Sequence, residues 1–131
     1  MTDFEKVKGY LTELEYSIVS ENPEEELFIV EKGDAGINNL IIDCEDNILV
    51  IEQLIMELKT DDKNVYKDLL IMNREIIHGG FSLSEDGKKL IYRDTLELEN
   101  LDLNELLGTL NALELMLSEY GNKLIEISKL N

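Results

Sequence analysis

Tryptophan is absent from these 131 residues, and cysteine, proline and histidine occur once each, as Cys44, Pro23 and His78. One cysteine excludes an internal disulfide and fits a reducing compartment, so a cytoplasmic location is expected. One histidine and one cysteine cannot assemble a zinc set. No stretch approaches the roughly 18 consecutive apolar residues that a membrane helix needs, and MTDFEKVKGYLTELEY has no apolar run of signal-peptide length. Basic residues are scarce as well: 12 Lys and Arg face 29 Asp and Glu, a formal charge of −17. That balance argues against nucleic acid, which needs clustered cations to displace its counterions, and against anionic membrane surfaces. It favours solubility and steers toward basic or polar, flexible partners.

What is present is enough for a core. Apolar residues make up 44% of the chain, and a chain of this length buries roughly two-thirds of its unfolded surface. No linker, internal repeat or low-complexity tract divides it, so residues 1–131 read as one domain.

Phe4, Val7, Leu11, Leu14 and Ile18 recur at helical spacing behind Thr2 or Asp3, which marks an opening helix ending near Tyr16. Ser17–Ser20 looks extended, and Asn22-Pro23 turns the chain. LFIVEK (Leu27–Lys32), NNLIIDCE (Asn38–Glu45) and at least the first half of ILVIEQLIMEL (Ile48–Leu58) follow as an antiparallel meander, their connections being too short for crossover helices. Asp61-Asp62 then caps a second helix with Val65, Leu69, Met72 and Ile76 inside, and Gly79-Gly80 is expected to end it. FSLS and KLIYRDTLEL form a hairpin across Glu85-Asp86-Gly87-Lys88, with a bulge expected at Arg93-Asp94 where Asp94 interrupts an apolar face. Asp102-Leu103-Asn104-Glu105 has the form of a capping box, and Leu103, Leu106, Leu107, Leu110, Leu113, Leu117 and Tyr120 trace one face of a last helix. Gly121-Asn122 is expected to break or kink it. The expected fold is α+β: three helices against one face of an antiparallel sheet of about five strands, in the order α-β-β-β-α-β-β-α.

Chemistry-bearing residues are isolated. His78 has no nucleophile or orienting partner nearby in the pattern, and strand alternation sets Cys44 on the face of Leu40 and Ile42, where a buried thiol is inert. Asp86-Gly87 lacks the preceding series of oxygen ligands of a calcium loop, Asp61-Asp62 only starts a helix, and Glu24-Glu25-Glu26 reads as a solvated turn. Neither glycine-rich phosphate motif occurs. No catalytic, cofactor or metal site is therefore expected.

Apolar residues where a helix should be polar are the positive signal. Leu70 and Ile77 widen the apolar face of the second helix, Ile71 lies beyond it, and Leu115 lies opposite the main stripe of the last helix. These four are the expected protein-binding residues. Gly108 and Ala112 permit close backbone approach and are the expected dimer contacts. Asn73, at the edge of the apolar face, is placed to tie the second helix to the backbone near Gly79-Gly80.

LLIMNREIIHGGFSLSEDGKKLIYRDTLELENLD, from Leu69 to Asp102, resembles the type III secretion chaperone family with its Tir-chaperone-like and YbjN-like relatives. The upstream pair LIIDCE and ILVIEQ is similar to that family's central strands. The resemblance implies a secretion-chaperone-like fold, a homodimer, no cofactor, and a non-enzymatic role holding a protein partner's non-globular segment. The alternative reading is a regulatory adaptor of a membrane- or envelope-stress pathway that binds one folded protein.

Overall fold

The computed structural model describes every residue from Met1 to Asn131. The chain runs α1 (Asp3–Glu13), β1 (Ser17–Asn22), β2 (Leu27–Lys32), a single 3₁₀ turn, β3 (Ile37–Glu45), β4 (Ile48–Glu57), α2 (Lys63–Glu75), β5 (Gly80–Leu83), β6 (Lys89–Glu97) and α3 (Leu103–Ser128). The six strands form one antiparallel sheet in the order β1-β2-β3-β4-β6-β5.

The α+β class and the three helices are as expected, whereas the strand count rises from about five to six. Ser17–Asn22 pairs with β2 along its length. It carries a weak hydrophobic signal because, as an edge strand, it turns only Ile18 partly inward. Its turn is held by Asn22, whose Oδ1 accepts from the N–H groups of Glu24 and Glu25 at 3.1 and 3.2 Å. The stretch Ile48–Glu57 is strand throughout, and the expected bulge lies there rather than at Arg93-Asp94. Arg93 and Asp94 pair regularly with Glu52 and Ile51, while register slips between Leu54 and Met56. Asp94 is accommodated on its apolar face because its Oδ2 accepts a hydrogen bond from the Thr109 hydroxyl of α3 at 3.1 Å. A bulge is unnecessary once the carboxylate has that partner.

All three helices lie on one face. Phe4 of α1 stacks on Phe28 of β2 with ring centroids 4.3 Å apart. Leu106, Leu110 and Leu113 of α3 enter the same core as Leu40, Ile42, Leu49, Ile51 and Tyr92 of the strands. Thr2 and Asp102 each form complete capping boxes, with Glu5 and Glu105. The expected break at Gly121-Asn122 is absent: α3 continues to Ser128 and buries Leu124 and Ile127. One more turn of core contact outweighs a glycine's helix penalty of about 1 kcal/mol.

The two glycines after α2 have another job than ending the helix. Helical geometry stops at Glu75, with Ile76 already extended (ψ 125°). Gly79 takes φ +72°, and a Cβ there would stand 2.6 Å from the Tyr92 hydroxyl and 2.8 Å from the Arg93 carbonyl oxygen. That closeness lets the Tyr92 hydroxyl donate to the carbonyl of His78. Asn73 secures the same junction from the helix side, as expected. Its Oδ1 accepts from Phe81 N–H at 2.6 Å and its Nδ2 donates to Phe81 O at 3.1 Å. One side-chain amide thus occupies both outward backbone groups of an edge-strand residue.

The other sheet face has no helix on it. Cross-strand neighbours there run Ile29–Ile41–Glu52–Arg93 and Leu27–Asp43–Val50–Thr95. Asp43, flanked by aliphatic side chains, is pushed up to about 6 by burial, by a hydrogen bond with Glu45, and by the charges of Glu45, Glu25 and Glu52.

Asn73→Ala strands the N–H and C=O of Phe81 and should cost about 1–3 kcal/mol in chemical denaturation. Gly79→Ala combines a left-handed φ with a clash and should cost about 2 kcal/mol or more. Asp43 binds more proton in the folded than in the unfolded chain between its ordinary range and about pH 6, so its contribution to stability rises as pH falls through that window. Asp43→Asn should therefore raise Tm at about pH 7.5 and flatten the pH dependence of Tm between about pH 4 and 7, both read by calorimetry.

Candidate functional site

The expected contact residues surround α2 and the connection that follows it. Leu70, Ile71 and Ile77 are 69, 65 and 77% exposed, and Leu115 on α3 is 49% exposed. Ile77 is not on the helix, since α2 has ended two residues earlier. It stands instead in the α2–β5 connection, where it lines an apolar cleft with Ala112 and Leu115 of α3. The structure therefore brings Ile77 and Leu115 together. Leu70 borders a different groove, between α2 and the edge strand, with Tyr66, Phe81 and Leu83. Ile71 follows Leu70 on the outward side of α2 and lines neither groove.

This arrangement follows from local sequence. Val65, Leu69 and Met72 point α2 at the core, which leaves the next positions, Leu70 and Ile71, facing water. Asn73 and Gly79 then pin the chain beyond the helix, so Ile77 is held against α3 rather than swinging free. Gly108 and Ala112 are half-buried on the side of α3 that receives this connection. A Cβ on Gly108 would lie 4.0 Å from Nε2 of His78. That is ordinary van der Waals distance, so nothing within the chain demands glycine at 108.

The residues that suggest chemistry are kept apart. The backbone carbonyl of His78 is taken by Tyr92, and its ring borders a surface recess with Asp102, Glu105 and Thr109. Cys44 is buried in the core, and its thiol is pushed up to about 12 by burial and by the charges of Glu26, Asp3 and Asp43. A thiol so raised stays protonated and unreactive near neutral pH. The phenols of Tyr16 and Tyr92 are also raised, first by burial. Tyr16 then donates to Glu114 Oε2 at 2.8 Å, and Asp94 acts on Tyr92. Asp86 is lowered by hydrogen bonds from the Ser84 hydroxyl and the Lys88 N–H inside the hairpin turn, a turn-closing role. No group of three His, Cys, Asp or Glu side chains converges as a metal site would require. No helix is long and apolar enough to cross a membrane.

Sequence reasoning passed over the aliphatic band on the open sheet face. Its signal was present in NNLIIDCE and ILVIEQLIME, where apolar residues fill both alternation registers. Reading the inner register as core left Ile41, Ile48 and Leu54 unremarked, yet they are 37, 41 and 53% exposed.

Several solved structures share the architecture. YbjN from E. coli superposes with a TM-score of 0.65 at 14% identity, covering 91% of each chain. A chain of the HopA1–SchA chaperone–effector complex gives 0.61 at 15% identity over 86% of this chain and 90% of that one. The structure of the Yersinia pestis type III secretion chaperone SycH with a stable fragment of YscM2 gives 0.59 at 16% identity, over 96 and 99%. No curated protein sequence matches the chain. The family model CesT_Tir_1 matches residues 1–130, nearly the whole length. On that match, and with a sheet and three helices laid out as in these structures, the chain belongs to the CesT_Tir_1 family.

Proposed function

We propose that the chain is a non-enzymatic, chaperone-like binding module of the cytoplasm that holds a partner polypeptide on the apolar surface around α2. The observation that carries this reading is the exposure of Leu70, Ile71, Ile77 and Leu115 on a domain of net charge −17. Large aliphatic side chains left in water at adjoining positions cost solubility without adding to the core, and they gain only when another polypeptide covers them. Pinning by Asn73 and Gly79 preorganises Ile77 against Leu115, which lowers the ordering cost of binding. Family membership supports the reading, as do the partner proteins present in the HopA1–SchA and SycH–YscM2 structures. The absence of any paired nucleophile and base, with Cys44 buried and His78 elsewhere, favours a binding role over turnover.

The working unit is a homodimer, its contact running along α3 through Gly108 and Ala112 beside the same corner. The acidic surface keeps the complex soluble and discourages higher association.

Light scattering should give twice the 15.0 kDa chain mass. Ile71→Asp and Leu115→Asp lie at exposed positions and should change stability by no more than about 0.5 kcal/mol. Each should nevertheless abolish co-purification of the partner retained by the unaltered chain. Full retention by both variants, or a chain that stays monomeric at high concentration, defeats the corresponding half of the proposal.

A further inference from the structure

The few basic residues are not spread evenly. Residues 57–90 together with 123–131 hold eight of the chain's 12 Lys and Arg against eight of its 29 Asp and Glu. These stretches adjoin in space: the Asn131 amide bonds to the backbone of Glu57 and Lys59, and Lys123 Nζ of α3 pairs with Asp68 Oδ2 of α2 at 3.1 Å. The region around α2 is therefore neutral, and the whole charge of −17 resides in the rest of the chain. Within that region the cations sort to one side of the helix. Lys63, Lys67, Leu70 and Arg74 follow at i, i+4, i+7 and i+11, which is one helical stripe. All four are exposed, with Ile71 beside them, opposite the buried Val65, Leu69 and Met72. The carboxylates of α2 lie on its flank toward α3, where Asp68 is paired and Glu75 borders the cleft of Ile77 and Leu115. No ion pair of the chain uses Lys63, Lys67 or Arg74. The outward face of α2 thus combines three unpaired cations with two large aliphatic side chains.

We propose that the partner meeting this face is an acidic amphipathic helix, its apolar stripe covering Leu70 and Ile71 and its Asp or Glu side chains pairing with Lys63, Lys67 and Arg74. The proposal rests on the reading that the α2 corner binds a polypeptide, and it adds that polypeptide's charge and conformation. Charge complementarity fixes the sign. The long stems of Lys and Arg let their heads reach acids that flank an apolar stripe. Hydrogen bonding fixes the conformation. The Asn73 amide already occupies both outward backbone groups of Phe81, so the sheet edge beside α2 is closed there to an added strand. An extended segment lying on a helix would bury its own N–H and C=O groups unpaired, whereas a helix satisfies them internally and presents side chains alone. The groove beside Leu70, lined by Tyr66, Phe81 and Leu83, receives an apolar side chain of such a helix.

Other occupants fit less well. A second copy docking α2 on α2 would set the three cations against themselves. An anionic bilayer shares the required sign, but a flat surface extends past the neutral region to the carboxylates around it. A single helix touches the neutral region alone.

The test uses the full chain with isotope-labelled Ile, Leu and Val methyls and the synthetic peptide Glu-Ala-Leu-Glu-Glu-Leu-Leu-Glu-Ala-Leu-Glu-Glu-Leu-Leu-Glu-Ala. One control peptide replaces every Glu by Lys, and another replaces two central residues by Pro so that no helix forms. The expected result is methyl shifts centred on Leu70 and Ile71, with an affinity that falls about tenfold between about 0.05 and 0.5 M NaCl. Lys63→Glu combined with Lys67→Glu should weaken binding by about tenfold or more while Tm moves by about 3 °C at most. Lys6→Glu, on α1 at the other end of the sheet, should change affinity by less than about twofold. Equal binding of either control peptide overturns the proposal, as does absence of binding. Unchanged affinity in the Lys63 and Lys67 double variant overturns it too. If that variant also retains the co-purified partner that Ile71→Asp loses, the corner still binds a polypeptide, and only the partner's charge has been misassigned. Tighter binding to phosphatidylserine-rich vesicles than to the acidic peptide refutes it in favour of a membrane surface. A dimer in light scattering that Ile71→Asp dissolves would make this face a contact between copies, which also refutes it.

Discussion

The bidentate bond between the Asn73 amide and the backbone of Phe81 is the contact on which the rest of this architecture turns. It joins the only helix inserted within the run of strands to the end of the sheet. With it in place, α2 cannot slide along β5, the connection must fold back through Gly79, and Tyr92 can reach the carbonyl of His78. A β-branched or apolar residue at 73 would leave the edge strand with two open backbone groups, a template for unwanted pairing. The same bond sets which side of α2 faces outward. The exposed aliphatic corner is thus a product of an edge-capping interaction, not of the core alone.

Charge and hydrophobicity divide the molecule in an unusual way. The helices close over one apolar core, and the hydroxyls of Tyr10, Tyr16 and Tyr92 find specific acceptors in Leu101, Glu114 and His78. Outside it, acidic side chains are interleaved with aliphatic ones on the open sheet face and beside α2. A net charge of −17 sets a repulsive cost on any higher self-association.

The elements most legible in the sequence were those whose signal is local. The capping box at Asp102 and Glu105, the leucine stripe of α3 and the glycine of the β5–β6 turn each act over a few residues, and each stands where expected. Asn73 was legible for a similar reason, since an amide at the margin of an apolar face has few uses. Reading failed where a distant partner decides. Asp94 implied a bulge until Thr109, 15 residues on, provided its hydrogen bond. Gly121 implied a break, but Leu124 and Ile127 find core beyond it and keep the helix whole. β1 was weak because an edge strand shares only part of the core. Of the candidate site, the exposure of Leu70, Ile71, Ile77 and Leu115 agrees with the sequence pattern, whereas the departure of Ile77 from the helix and the open-face band needed the fold.

Strand order also carries a kinetic meaning. β4 lies beside β6, not β5, so the ladder from Ile48–Glu97 to Glu57–Lys89 can close only after α2 and the hairpin have been brought round. Closing an excursion of that length is an entropic toll on the route to the native state, though one that grows slowly with length. The short-range clasp eight residues long, between Asn73 and Phe81, shortens the effective excursion before the ladder forms. β4 gains its second neighbour only when β6 arrives, so a chain in which that ladder has not closed exposes one edge of β4.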